Sequence, residues 1–231
     1  MSTMTSSQSS VFLNGEGDAW YERNLLNSSD LVKNWQDKDI LLNMIDRLSL
    51  PNSSKTKVLE IGCGQGNRLH YFRSKYEWTV VGLDPSQKAV DSLHDQNIEA
   101  FVGTADRLPF DANYFDLIIY GFCLCWIERD ALFSLIAEAN RVTKPQAWIG
   151  IYDFWHPNEI VNNYHHKPGL KTYKTRPHEM FSWHPSYLIT EHRLSSTTHS
   201  DYIDQPSNWT AATVIRKDIN FSESVSSTQS Q

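Results

Sequence analysis

The chain predicts a doubly wound α/β fold, Rossmann-like and mostly parallel, with helices on both faces of the sheet. Three observations carry that prediction. Between about residues 56 and 154, short β-branched or apolar runs alternate with amphipathic stretches. The first run ends in a glycine cluster, where a buried strand would turn into a helix. The run Phe115 to Phe122 is apolar on both sides, as a central parallel strand covered from both faces should be.

Taken in order, residues 18 to 48 make one or two helices with Leu31, Trp35, Leu41, Leu42 and Ile45 as the buried face. Lys57 to Ile61 is the first strand and Leu69 to Lys75 the helix behind it. Thr79 to Leu83 is the second strand, stopped by Asp84-Pro85, and Ser86 to Asp95 is helical with Ala89, Val90 and Leu93 on one face. Ile98 to Val102 and Phe115 to Phe122 are the third and fourth strands. Arg129 to Val142 carries Leu132, Leu135, Ile136 and Ala139 at helical spacing, and Ala147 to Phe154 is the fifth strand.

Residues 155 to 185 hold four of the nine prolines and five of the nine histidines, with few aliphatics. They are expected as an irregular or partly helical excursion over the strand tips. Tyr187 to Arg193 and Trp209 to Arg216 read as closing strands, a hairpin-like pair at the sheet edge. The Ser/Thr/Gln-rich ends, 1–14 and 222–231, are expected as disordered tails, because they bury too little apolar surface to offset the entropy of ordering. Residues 15–221 then form one domain: a helical cap over 15–50, a core over 56–154, the insertion over 155–185 and closing strands over 186–217.

Composition narrows the function. Lys and Arg number 21 against 27 Asp and Glu, a net charge of −6 without any basic run, which argues against a phosphate-backbone partner. The longest apolar stretch, Leu117 to Ile127, is well short of the roughly 20 residues of a membrane span. The start, MSTMTSSQSS, has neither the basic nor the apolar part of a signal peptide. Three cysteines make no disulfide framework, and no CxxC pair exists, so buried reduced thiols and no metal are expected. The expectation is a soluble, cytoplasmic protein.

The sharpest feature is Val58-Leu59-Glu60-Ile61-Gly62-Cys63-Gly64-Gln65-Gly66-Asn67. Glycines at alternate positions let the backbone turn tightly and approach a ligand closely. The spacing is G-x-G-x-G rather than the G-x-G-x-x-G of a dinucleotide pyrophosphate loop. Asp84 lies 22 residues after Gly62, at the second strand's tip, where a carboxylate can accept from both hydroxyls of a ribose. After the third strand comes Gly103-Thr104-Ala105-Asp106-Arg107-Leu108-Pro109-Phe110, in which Asp106 could accept from an adenine amino group. Together these point to an adenosine-containing ligand without requiring a phosphate. The bland alternatives are a helix cap for Asp84 and a turn former for Asp106.

In that order and spacing, VLEIGCGQG, GLDPS, GTADRLPF and YFDLIIYGF resemble the class I S-adenosylmethionine-dependent methyltransferases, over roughly residues 56 to 154. The resemblance implies a seven-stranded sheet with a reversed final strand and a cofactor lying across the strand tips. It places Gly62, Cys63, Gly64 and Gly66 under the methionine part and the ribose, with Glu60 ordering the loop or reaching the cofactor's amino group through water. Asp84 with Pro85 would take the ribose, Asp106 with Arg107 the adenine, and Gly121 and Phe122 would lie near the methionine moiety. The product would be S-adenosylhomocysteine.

The flanks, GEGDAWYERN at 15–24, YHHKPG at 164–169 and Trp209 to Lys217, resemble methyltransferases of bacterial nonulosonic-acid and surface-polysaccharide pathways. That implies a small-molecule acceptor, a sugar or nucleotide sugar. For an acceptor hydroxyl, His165, His166 and His156 are candidate bases, since histidine titrates near neutrality; Tyr152 and Asp153 are further candidates. Arg23 and Asn24, which follow Trp20 and Tyr21 in the N-terminal helix, are expected to clamp the cofactor's carboxylate, for which arginine's fork is suited, with Tyr21 also at the cofactor; the bland alternative is a solvated helix face. A nicotinamide-dependent oxidoreductase and a non-catalytic cofactor-binding module remain as alternatives. The aromatic C-terminal half could supply a homodimer face.

Overall fold

Five of the apolar runs become neighbouring parallel strands: β1 (Lys57–Ile61), β2 (Thr79–Asp84), β3 (Glu99–Val102), β4 (Phe115–Gly121) and β5 (Thr143–Phe154). Two short strands, β6 (Ile160–Asn163) and β7 (Lys171–Lys174), form a separate antiparallel ribbon. The closing strands are β8 (Tyr187–Ser196) and β9 (Trp209–Lys217). The main sheet runs β3-β2-β1-β4-β5-β9-β8, with β9 antiparallel to both of its neighbours. The computed structural model describes residues 7–27, 35–197 and 206–217; Leu31 and the expected tail 222–231 lie outside them.

Helices cover both faces: α1 (Gln8–Val11), α2 (Gly17–Asn27), α3 (Trp35–Lys38), α4 (Ile40–Ile45), α5 (Asn67–Tyr76), α6 (Gln87–His94), α7 (Leu132–Val142) and α8 (Glu179–Ser182). On one face Leu117 and Ile119 of β4 pack with Leu41 and Leu42 of α4, Phe72 of α5 and Leu93 of α6. On the other, Ile118 and Tyr120 pack with Leu135 and Ala139 of α7 and Phe181 of α8. Burial on both faces explains why β4 reads as an unbroken apolar run. Each of these fully buried aliphatic side chains contributes about 1.5–3 kcal/mol of transfer free energy.

Three regions differ from the sequence reading. Residues 7–14, expected as tail, are helical: Gln8 and Phe12 are buried, and Ser7 caps α1 by accepting from Ser10 N. A wider turn over Phe12–Glu16, kinked at Gly15 (φ 113°), joins α1 to α2. Next, β5 begins at Thr143, four residues early, with Gln146 in a left-handed conformation (φ 59°) and a register shift against β4. Finally, the 155–185 excursion holds the β6–β7 ribbon as well as α8. The ribbon is held to the N-terminal segment by the Gln8 amide, which donates to Trp126 O (2.7 Å) and accepts from Lys171 N (2.6 Å).

Candidate functional site

The site lies where β1, β2 and β4 end, at the carboxyl edge at which open α/β sheets bind ligands. Beyond β1, four loop amides are committed within the protein. Gly62 N and Cys63 N donate to Leu83 O at 2.8 and 3.2 Å, Gly64 N to Asp84 Oδ2 at 2.9 Å, and Gly66 N to Cys63 O at 2.8 Å. The loop is therefore fastened to the tip of β2 and does not aim those amides at a phosphate, which removes the physical basis of the dinucleotide alternative. Gly64 (φ 49°) has open space where a Cβ would stand, leaving a bare backbone ledge for a ligand.

Asp84 receives Gly64 N on one oxygen and Ser86 N on the other, the latter at 2.9 Å. Burial pushes its pKa up while these two N–H groups pull it down, and each oxygen keeps acceptor capacity for a hydroxyl. The cap of α6 is Ser86, whose Oγ accepts from Ala89 N, so the capping alternative for Asp84 falls away. Asp106 carries a buried Oδ1 with no partner, in the loop whose neighbours Gly103, Thr104 and Ala105 wall the site. The Arg107 side chain points to solvent.

Two clefts meet here. The first, about 710 Å³, is walled by Asp84, Pro85 and the Gly103–Ala105 turn on one side and by Phe12, Trp20, Trp126 and Ile127 on the other. The second, about 830 Å³, is walled by Glu60, Cys63 to Arg68, Asp39, Trp35, Tyr21 and Asn24. They share Trp20, Gly62, Gly121 and Phe122, so one elongated ligand can run through both. Phe122, itself left-handed (φ 55°), sits at the junction with its ring against Tyr152 and Phe154.

The N-terminal cap closes the first cleft. Gly17 comes so near Pro85 that a Cβ would lie 2.9 Å from its carbonyl carbon. Asp18 accepts from Ser86 Oγ and Lys88 N. Arg23 does not reach either cleft: its guanidinium donates to the buried Glu16 at 2.5 Å and to Tyr164 Oη at 2.8 Å, and Glu16 and Tyr164 raise its pKa against the desolvation of its part-burial. The expected carboxylate clamp is instead a tie between cap and insertion.

The histidines are likewise set apart from the clefts. His165 and His166 stack on each other and against Tyr164, both exposed, while His156 holds its Nδ1 against the Asn158 backbone. Asp153 is wholly buried; its Oδ2 accepts from Leu124 N and Cys125 N and so fixes the turn that carries Trp126. Burial raises its pKa to about 6 against those hydrogen bonds. The three thiols are free, and burial pushes all of them well up. Among the described residues no group of three or more His, Cys, Asp or Glu could hold a metal ion, and no helix is long and apolar enough to cross a membrane.

Sequence reasoning missed Asp39, Arg68, Phe12 and Trp126. Phe12 sits in a Ser/Thr/Gln-rich stretch that masks its helix, and Asp39 and Arg68 are 29 residues apart with no motif linking them.

Residues 58–146 match the model of a methyltransferase domain. An uncharacterized methyltransferase of Synechocystis sp. is 32% identical over 112 residues, 48% of this chain and 52% of that protein. A tRNA N(3)-methylcytidine methyltransferase of Drosophila melanogaster is 29% identical over 110 residues, 42% of this chain and 34% of that protein. The chain thus spans about half or less of the length of these curated relatives. Among solved structures, a Burkholderia thailandensis 1,6-didemethyltoxoflavin-N1-methyltransferase with its acceptor and S-adenosylhomocysteine bound superposes with a TM-score of 0.69 at 15% identity, covering 95% of this chain and 93% of that one. The glycine loop, the carboxylate at the tip of β2 and the seven-strand order thus stand in a chain whose residues 58–146 match a methyltransferase domain and whose fold is shared with an S-adenosylhomocysteine-bound methyltransferase.

Proposed function

We propose that the protein moves the methyl group of S-adenosylmethionine to a small-molecule acceptor, a hydroxyl or amine of a sugar or nucleotide sugar. The observation that carries the cofactor half is the pair of joined clefts, with Asp84 and the unpartnered Asp106 Oδ1 beside one and the open Gly64 ledge in the other. In this reading Asp84 takes the ribose, Asp106 the adenine amino group, and Gly62 to Gly66 the backbone of the methionine end. The cofactor brings its own activation as a sulfonium. The protein's part is to hold the acceptor in line with the methyl group and to keep water out. Phe12, Trp20, Phe122 and Trp126 supply that apolar enclosure.

The acceptor half is supported by the flanking resemblance and by the aromatic wall, whose ring faces suit the C–H faces of a sugar. The acidic net charge of −6 disfavours a polynucleotide acceptor. For a hydroxyl acceptor we propose the His165–His166 pair of the insertion as the source of a base. Desolvation, His165 and Arg23 all lower the His166 pKa, so its imidazole is unprotonated at neutral pH.

The test is a thermal-shift titration with S-adenosylmethionine, S-adenosylhomocysteine and NAD, on wild type and Asp84→Ala, followed by label transfer from methyl-labelled cofactor to a sugar-nucleotide panel. Ligand at about 100 times its Kd adds roughly 2.7 kcal/mol, a shift of about 5–11 °C in a chain of this size. A shift with the two sulfur nucleosides that Asp84→Ala removes supports the cofactor assignment. Label in a tRNA fraction and none in the sugars would overturn the acceptor assignment.

A further inference from the structure

The main sheet has two edges, and they differ in length. β3 is four residues long, whereas β8 runs for ten, Tyr187–Ser196, at the opposite end of the strand order. A long edge strand is a template for another strand, because its outward N–H and C=O groups are already extended and in line. β8 is fixed from its inner side: Glu191, His192, Arg193 and Leu194 stand opposite Val214, Thr213, Ala212 and Ala211 of β9. Its register shifts once, between Ile189 and Glu191, and from Glu191 to Ser196 the pairing is regular. No residue of β8 lines either cleft, so this edge has no part in the site described above.

The charges along β8 select a partner. Glu191 and Arg193 are two apart and so share a face, opposite Val214 and Ala212, while His192 and Leu194 share the other. His192, Arg193 and Leu194 are exposed, and Glu191 pairs with Arg47 at 2.5 Å in an open, solvent-screened ion pair. Successive residues of a strand point their N–H and C=O groups to opposite edges. A strand therefore pairs antiparallel with its own copy only where the twofold axis passes through a residue. Axes through Glu191 or Arg193 set like charges directly opposite, which destabilises the pairing. Axes through Thr190 or Leu194 set Glu191 against Ile189 or Arg193 against Ser195. Of the axes from Thr190 to Leu194, only the one through His192 sets Glu191 opposite Arg193, and by symmetry it does so twice. It also lays Thr190 of one copy against Leu194 of the other, whose side chain is 38% exposed.

From this register we infer that β8 is a self-association surface, and that its partner is a second copy of this chain paired antiparallel about His192. The two sheets then join edge to edge, held by main-chain hydrogen bonds and by two Glu191–Arg193 pairs. A strand of another protein could use the same main-chain groups, but the complementary charge order is one that β8 itself carries. Because the axis is twofold, the contact closes on itself and yields a dimer rather than a filament. Neither cleft borrows a residue from this edge, so the inference does not depend on the cofactor or the acceptor assigned above.

The experiment is sedimentation equilibrium of the full chain from micromolar to submillimolar concentration. Wild type, Arg193→Glu and the double swap Glu191→Arg with Arg193→Glu are compared, each first checked by its Tm. Wild type is expected to form a concentration-dependent dimer. Arg193→Glu, which sets carboxylates face to face twice, should raise the dimer Kd by about tenfold or more, and the double swap should return it to within about threefold of wild type. Single cysteines under mild oxidation read the register separately. Residues directly opposite on antiparallel strands have Cα atoms about 4.5–5.5 Å apart, within the roughly 4.4–6.8 Å that a disulfide spans. His192→Cys should therefore cross-link to its copy, and Leu194→Cys, set against Thr190, should not; the free Cys63, Cys123 and Cys125 of wild type give the background. A wild type that stays monomeric, a Kd that Arg193→Glu leaves unchanged, a double swap as weak as Arg193→Glu, or equal cross-linking of the two cysteine variants would each overturn the inference.

Discussion

Asp18 accepts a hydrogen bond from the Ser86 hydroxyl at 2.7 Å, and the same oxygen takes Lys88 N at 3.0 Å. The N-terminal cap is thereby fixed to the helix that follows Asp84, and α2 becomes a wall of the first cleft through Gly17 and Trp20. Asp18→Ala should weaken S-adenosylhomocysteine by about fivefold, roughly 1 kcal/mol, through loss of the cap's seating. Calorimetry would show it, and an unchanged Kd would mean that the cap is held by Trp20 and Gly17 alone.

Arg23 and Glu16 offer a double-mutant cycle. Arg23→Ala strands a buried carboxylate and should cost about 2 kcal/mol in urea unfolding, whereas adding Glu16→Gln should return part of that loss. Because the guanidinium faces Tyr164 and not the clefts, the affinity for S-adenosylhomocysteine should move less than about threefold. A loss confined to ligand affinity would restore Arg23 to the cofactor.

Asp153 should give the stability curve an acidic limb. Its folded pKa of about 6 lies above its ordinary 3.8, so the fold holds the proton more tightly than the unfolded chain. That contribution is full below about 3.8 and is lost as pH rises through about 6, by about 3 kcal/mol in all. Melting profiles from pH 3.5 to 7.5 should show Asp153→Asn lacking this limb.

His178 works in the opposite sense. Its ring centroid is 4.2 Å from that of His192, and burial, with His192 and Arg176, depresses its pKa to about 4. Stability from keeping it neutral is present above about 6.5 and fades as pH falls toward 4. The half-exposed ring reduces the amount to about 1 kcal/mol. His178→Asn should flatten that part of the profile, and a parallel curve would show that the proton is taken up elsewhere.

The cofactor half of this protein was legible because its physics is local. An apolar strand, a glycine turn and an acidic residue at the next strand tip each leave a mark within a few positions, and Gly62 and Asp84 fall where those marks put them. The rest depends on long-range pairing. Gln8 and Phe12 sit among serines and are ordered by Trp126 and Lys171, more than a hundred positions away. β6 and β7 are mostly exposed, so no apolar alternation announces them. β5 starts before Pro145, a residue that reads as a strand boundary and is accommodated by the left-handed Gln146 beside it.

The Gln8 side chain meets Lys171, 163 positions later. On a ribosome the first of these residues emerges long before the second, at about 5–20 residues per second. The apolar side of the opening helix, Phe12 included, therefore waits roughly 8–33 s for the ribbon that anchors it. β9, which enters the sheet between β5 and β8, comes later still. A nascent chain halted after β5 would carry the strand tips that floor the first cleft with its roof unfastened.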